Sequence, residues 1–172
     1  MEIKIIRSPK RRRTVSAKMV NDCLIVSAPL RLCEENLTKI VSDFKLKFEK
    51  KKLKEELDRN QPLASIAAVL NKRYFNDELK INSIEYVTDQ NTKYGCCNYS
   101  KGHIRISHKV GLMPKWVRDY VLMHELAHLI VPNHSKDFWD IVYRYKLAER
   151  ARGFLYAVGF AKDEECLNHE ST

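Results

Sequence analysis

The sequence predicts an α+β fold: a small antiparallel sheet packed on one helix, preceded by a β-rich N-terminal segment and a long basic helix. Three observations lead there. Short β-prone runs bounded by turn residues occur twice, over residues 2–27 and 79–107. Leu37, Ile40, Val41, Phe44 and Phe48 recur at helical spacing in a lysine-rich stretch. A later stretch from Trp116 to Ile130 is apolar and carries two histidines four residues apart, His124 and His128.

The elements follow in order. Residues 2–7 read as a short strand that ends in the basic run Lys10-Arg11-Arg12-Arg13. Residues 13–19 alternate, Asn21-Asp22 signals a turn, and Cys23 to Ser27 is a second β-prone run, so a hairpin is expected beside the first strand. Pro29 closes it. Cys33-Glu34-Glu35 suits a helix start, because carboxylates favour the positive end of the helix dipole. Asn60-Gln61-Pro62 ends that helix, and a second runs from about Leu63 to Tyr74.

Residues 79–88, 94–99 and 103–107 read as three strands of an antiparallel meander, with Ser100-Lys101-Gly102 as its turn. Pro114 opens the histidine-bearing helix, where a missing N–H costs nothing. Pro132 is expected to stop it, since proline disfavours helical geometry at Val131 and cannot extend the hydrogen-bond ladder. Asn133 suits a left-handed turn, and Ser135 the N-cap of a helix buried through Phe138, Trp139, Val142 and Tyr143. A last helix covers roughly 148–158, closed by Gly159 ahead of a polar, frayed tail from Lys162.

The 172 residues suit one domain or one with an appendage. Residues 1–60 are expected to form an N-terminal region and 61–172 the main domain, with no linker between them. Hydrophobic residues make up 44%, and no apolar run approaches the roughly 18 residues of a membrane span. With no signal-like N-terminus, a cytoplasmic location is expected. The net charge is +9, of which residues 1–60 supply +7 (16 Lys and Arg against 9 Asp and Glu). That excess could attract nucleic acid, although a solvated charged face is the commoner reason for it. The five cysteines match no zinc-knuckle spacing and fit reduced thiols. Adjacent Cys96 and Cys97 should point to opposite faces of their strand, so that they cannot both face one site.

Residues 124–128 spell His-Glu-Leu-Ala-His. Positions i and i+4 share a helix face, so His124 and His128 can offer two imidazoles to one ion. Glu125, about 100° around the helix, can reach a water on that ion without being a ligand. A catalytic zinc keeps three protein ligands and one open position for water, and His134, six residues on, is the nearest third ligand. The metal site is thus expected to be His124, His128 and His134, with zinc as cofactor and Glu125 as general base. Lys93, Tyr94 and Arg105 are candidates for oxyanion stabilisation. His103, His108 and His169 read as surface residues, and Tyr143 and Tyr145 as packing.

The run His-Glu-Leu-Ala-His-Leu, then Asn133-His134-Ser135 and Phe138-Trp139, resembles the YgjP-like metallopeptidase family, which is related to the SprT-like and WLM zinc metalloproteases. The resemblance implies a zincin-like fold, zinc on the three histidines, Glu125 as acid/base, and a peptide or protein substrate. The family's Arg-Trp-Gly-Ser-Cys strand is Lys93-Tyr94-Gly95-Cys96-Cys97 here, which keeps a positive charge but not the planar fork of arginine. The histidine spacing also equals that of metzincins. Their glycine position is Val131, however, and no methionine follows His134.

Two further readings stand beside the peptidase. The resemblance also brings hydrolysis of nucleoside triphosphates, notably UTP, at the same metal site, although no Gly-rich phosphate loop is present. The basic N-terminal half suggests a nucleic-acid-associated binding module with a tethered peptidase.

Overall fold

The structure, a computed structural model, describes residues 2–90 and 92–159. The expected tail, with Cys166 and His169, lies outside the described residues. Two compact units divide between Leu53 and Lys54, within one continuous helix.

The first unit contains strands β1 (Glu2–Ser8), β2 (Ser16–Val20) and β3 (Cys23–Pro29) and the first part of helix α1 (Glu34–Asn60). The hairpin is present. Asn21 and Asp22 both take positive φ, 48° and 61°, the two-residue turn whose twist matches the strands it joins. β1 pairs parallel with β3 on the other side, giving the order β1-β3-β2. Ile3 and Ile5 lie opposite Leu24 and Val26, and Leu24, Val26 and Ala28 are fully buried. Arg7 fastens β1 to the start of α1. Its guanidinium donates to the carbonyls of Leu30 and Leu32, at 3.1 and 2.9 Å, and pairs with Glu34. Residues 1–53 carry 14 Lys and Arg against 6 Asp and Glu, or +8 of the chain's +9.

The second unit begins with the end of α1 and continues through α2 (Leu63–Tyr74), β4 (Ser83–Val87), β5 (Gly95–Asn98), β6 (His103–Ser107), α3 (His108–Gly111), α4 (Lys115–Ala127), α5 (Lys136–Val142) and α6 (Ala148–Ala157). The sheet is not the expected meander. Its order is β4-β6-β5, with β4 parallel to β6 and β5 antiparallel. The last strand inserts between the first two, leaving β5 on an edge. β4 is also shorter than expected, because Asn71 ties the Leu79 backbone and Gly102 ties Asn82 before pairing begins.

Helix α4 is the hub and packs on α2, α3, α5, α6, β5 and β6. Val117, Leu122, Met123, Leu126 and Ala127 on it are fully buried, as are Ile104 and Ile106 of β6. Pro114 sits at the N-cap, one residue before the helix. Arg118, only 6% exposed, bonds Asp119 through two nitrogens and Gln61 at 2.7 Å, so a buried cation there is fully paired. In α5 the buried residues are Phe138, Ile141 and Val142. Tyr143, expected to be buried, is 39% exposed, because α5 ends at Val142 and the chain turns away. Gly159 closes α6 with φ +75°. No helix among the described residues is long and apolar enough to cross a membrane.

Candidate metal and catalytic site

The site is built from the end of α4, the turn that follows it, α5 and the edge strand β5. Helix α4 stops at Ala127, earlier than the expected stop at Pro132. The N–H groups of Leu129 and Ile130 bond carbonyls only three residues back, and Val131 N–H bonds the Ala127 carbonyl at 2.9 Å. The chain has therefore already tightened and turned when Pro132, which has no N–H to offer, arrives. Asn133 does not take positive φ; among the described residues the left-handed ones other than glycine lie at the β2–β3 turn and after α2. Ser135 holds the N-cap position of α5 without a side-chain cap bond, and Asp137 lies in its first turn.

This route brings His134 back over α4. The ring centroids of His124, His128 and His134 form a near-equilateral triangle with sides of 4.9, 5.0 and 4.8 Å. Nε2 of His124 and Nε2 of His134 are 3.1 Å apart, and one ring nitrogen from each of the three lies within 4.8 Å of the others. A tetrahedral ion with imidazole ligands holds its nitrogens about 3.3 Å apart, close to the His124–His134 separation. Nδ1 of His128 lies 3.2 Å from the Val131 carbonyl, a contact that protonates Nδ1 and leaves Nε2 as the lone-pair donor. Burial, and then the nearby positive charge of the other imidazoles, holds His124 well below the usual histidine value. The same causes push His128 down to about 4. Both rings are thus neutral donors at neutral pH, and the three residues could hold a metal ion.

Aromatic rings hold the triangle. Phe138 is fully buried and stacks on His128, with centroids 4.5 Å apart and planes at 29°. Trp139 stacks on His134 at 5.8 Å and 27°, and the Arg152 guanidinium lies 4.7 Å above the Trp139 ring. Arg152, from α6, also bonds the Tyr143 hydroxyl. Tyr143, read from the sequence as packing, helps to anchor that cation.

Glu125 is 5% exposed and borders a cavity of about 290 Å³ together with the three histidines. Burial pushes its carboxyl up to about 8, against the pull of the Lys93 charge. The carboxylate rests on Gly95 of β5. A Cβ placed on Gly95 would lie 2.7 Å from Glu125 Cδ and 2.8 Å from Cγ, closer than real Cβ contacts. Only a glycine leaves this space. The family resemblance kept Gly95 in its strand motif but gave it no role, because a contact made through a missing side chain leaves no signal in composition or periodicity.

Of the oxyanion candidates, Lys93 and Tyr94 border the cavity, and the Tyr94 hydroxyl donates to the Leu155 carbonyl at 3.4 Å. Arg105 lies elsewhere, exposed on β6 and paired with Asp89 at 2.8 Å. His103 bonds Ser83, and His108 contacts the Val87 carbonyl, both away from the cavity. Cys96 and Cys97 both border it, contrary to expectation, because an edge strand faces a cavity with main chain as well as side chains. Burial, and then the Glu125 charge, pushes the Cys97 thiol up to about 12, which keeps it protonated and a poor ligand.

The YgjP-like metallopeptidase domain family matches residues 31–146, two thirds of the chain, a span that holds the three histidines, Glu125 and Gly95. The chain belongs to that family. Membership supports a metal-dependent hydrolase that acts on peptide or protein. No curated protein and no solved structure matches the chain.

Proposed function

We propose that this YgjP-like protein is a zinc metallopeptidase in which His124, His128 and His134 hold the ion and Glu125 is the general base. One observation carries the reading: three imidazoles converge beside the buried carboxyl group of Glu125 in one cavity. Three nitrogen donors with one position left open suit zinc in its catalytic role. When bound, the ion supplies Lewis-acid polarisation of the scissile carbonyl and acidifies water.

The residues supply the rest. Glu125 takes the proton of the attacking water as the new C–O bond forms. It returns that proton to the amide nitrogen as the C–N bond breaks, so the carboxylate is regenerated. Its burial raises its proton affinity, and Gly95 fixes where it points. Lys93, on the cavity rim, places positive charge where the carbonyl oxygen gains negative charge. Phe138 and Trp139 hold the imidazoles in place before substrate arrives.

The test is metal removal and return, with two substrates. Peptide hydrolysis is expected to vanish on chelation and to recover with zinc. Hydrolysis that survives complete chelation contradicts the reading. Release of pyrophosphate from UTP without any peptide cleavage would replace the substrate class.

A further inference from the structure

A second cavity, of about 490 Å³, adjoins the histidine site. Tyr99, one residue past β5, borders both. So does the α4 exit: Leu129 and Ile130, which line the second cavity, directly follow His128. A substrate lying at the histidines and crossing Tyr99 therefore runs into this space.

One wall is built rigidly. After α2 the chain takes positive φ at two consecutive non-glycine residues, Asn76 (53°) and Asp77 (63°). Asn and Asp tolerate this geometry better than most residues, but only the surroundings hold such a turn to one conformation. Asn71, 5% exposed, does so. Its amide donates to Asp77 Oδ1 at 3.2 Å and to the Leu79 carbonyl at 3.1 Å, and its side-chain oxygen accepts the Leu79 N–H at 3.2 Å. Its main-chain carbonyl accepts the N–H groups of Phe75 and Asp77. A loop held by five hydrogen bonds from one buried residue is a preformed surface.

The lining has two characters. Tyr99 and Ile130 are large side chains that are 58% and 52% exposed, so neither is explained by the core. Lys80 and Arg144 bring two cations, against one carboxylate, Glu78. Among the described residues no acidic side chain lies within 4.0 Å of either cation. Arg144 uses one nitrogen on the Tyr74 carbonyl, at 3.3 Å, which orients the guanidinium and leaves its other donors for a ligand.

We propose that this cavity is a substrate subsite that takes a carboxylate-bearing residue of the peptide, its stem over Tyr99 and Ile130 and its carboxylate at Lys80 and Arg144. The proposal rests on the peptidase reading above. The carboxylate could belong to an Asp or Glu side chain or to a peptide C-terminus, and the substrates separate the two.

The experiment uses one peptide series in which Glu or its Gln counterpart occupies each position on either side of the cleaved bond. Every peptide is made with a free and with an amidated C-terminus. At one position the wild type is expected to favour Glu about tenfold in kcat/KM, through KM. A C-terminal ligand would instead show as about a tenfold loss on amidation. In Lys80→Gln and in Arg144→Gln the preference falls towards one, and Lys80→Glu shifts it to a Lys-bearing peptide. Equal rates for Glu and Gln and for free and amidated ends, or a preference unchanged in the variants, overturn the subsite. If the wild type cleaves no peptide, the peptidase reading falls. Anisotropy of labelled peptides on Glu125→Gln then still reads the subsite: about tenfold tighter binding of a carboxylate peptide supports it, and equal Kd values overturn it.

Discussion

The Glu125 carboxylate lies on the backbone of Gly95, with Cδ 2.7 Å from where a Cβ would stand. The edge strand thus sets the position of the proposed general base, although it contributes no side chain at that point. A methyl group there must push the carboxylate aside. Misplacement of a catalytic group by about 1 Å costs roughly a hundredfold in rate.

Gly95→Ala is therefore expected to lower kcat by about a hundredfold or more while metal content stays at the wild-type level. The measurement is steady-state kinetics beside elemental analysis of the same preparation. Wild-type kcat in Gly95→Ala would show that Glu125 can move without consequence.

Trp139 stacks on the His134 ring and also carries the Arg152 guanidinium against its indole. The stack holds the ligand candidate that lies outside α4. Groups that orient metal ligands contribute about ten- to a hundredfold in affinity. Trp139→Leu is expected to weaken zinc binding by about tenfold in competition with a chromogenic chelator, and Trp139→Phe to restore most of it. Unchanged affinity in Trp139→Leu would remove the stack from the site.

Tyr86 gives a pH prediction for the fold. Burial pushes its phenol up to about 12, and its hydroxyl has no hydrogen-bond partner among the described residues. The unfolded chain loses this proton near pH 10, whereas the folded chain keeps it to about pH 12. Stability is thus unaffected by this group below pH 10 and falls between 10 and 12, by roughly 3 kcal/mol. Tyr86→Phe should abolish that alkaline loss, read from denaturant unfolding across the range, and should cost little at pH 7, because no bond is broken. An identical alkaline decline in the variant would contradict this.

Much of this was legible in the sequence, for reasons that differ by element. The helices showed in the 3.6-residue spacing of Leu37 to Phe48 and of the α4 apolar residues, and the hairpin in Asn21-Asp22. The sheet order was not legible. Whether β6 pairs beside β4 or beyond β5 depends on how the connection from Thr88 to Tyr94 crosses, which no local pattern encodes. The helix stop was placed five residues late, because a proline is visible in a sequence, whereas the three-residue-back bonds of Leu129 and Ile130 are not. The histidine triangle follows from spacing. Its support by Trp139 and Arg152, and the contact of Glu125 with Gly95, follow from tertiary packing.

The most direct test of the proposed chemistry is Glu125→Gln, which keeps the shape of the side chain and removes its ability to accept a proton. Zinc per chain and peptide hydrolysis are measured on the same sample, with His134→Ala as the ligand control. Glu125→Gln is expected to retain wild-type zinc and to lose hydrolysis by about a thousandfold, and His134→Ala to lose the zinc. Hydrolysis by Glu125→Gln at the wild-type rate would contradict the account.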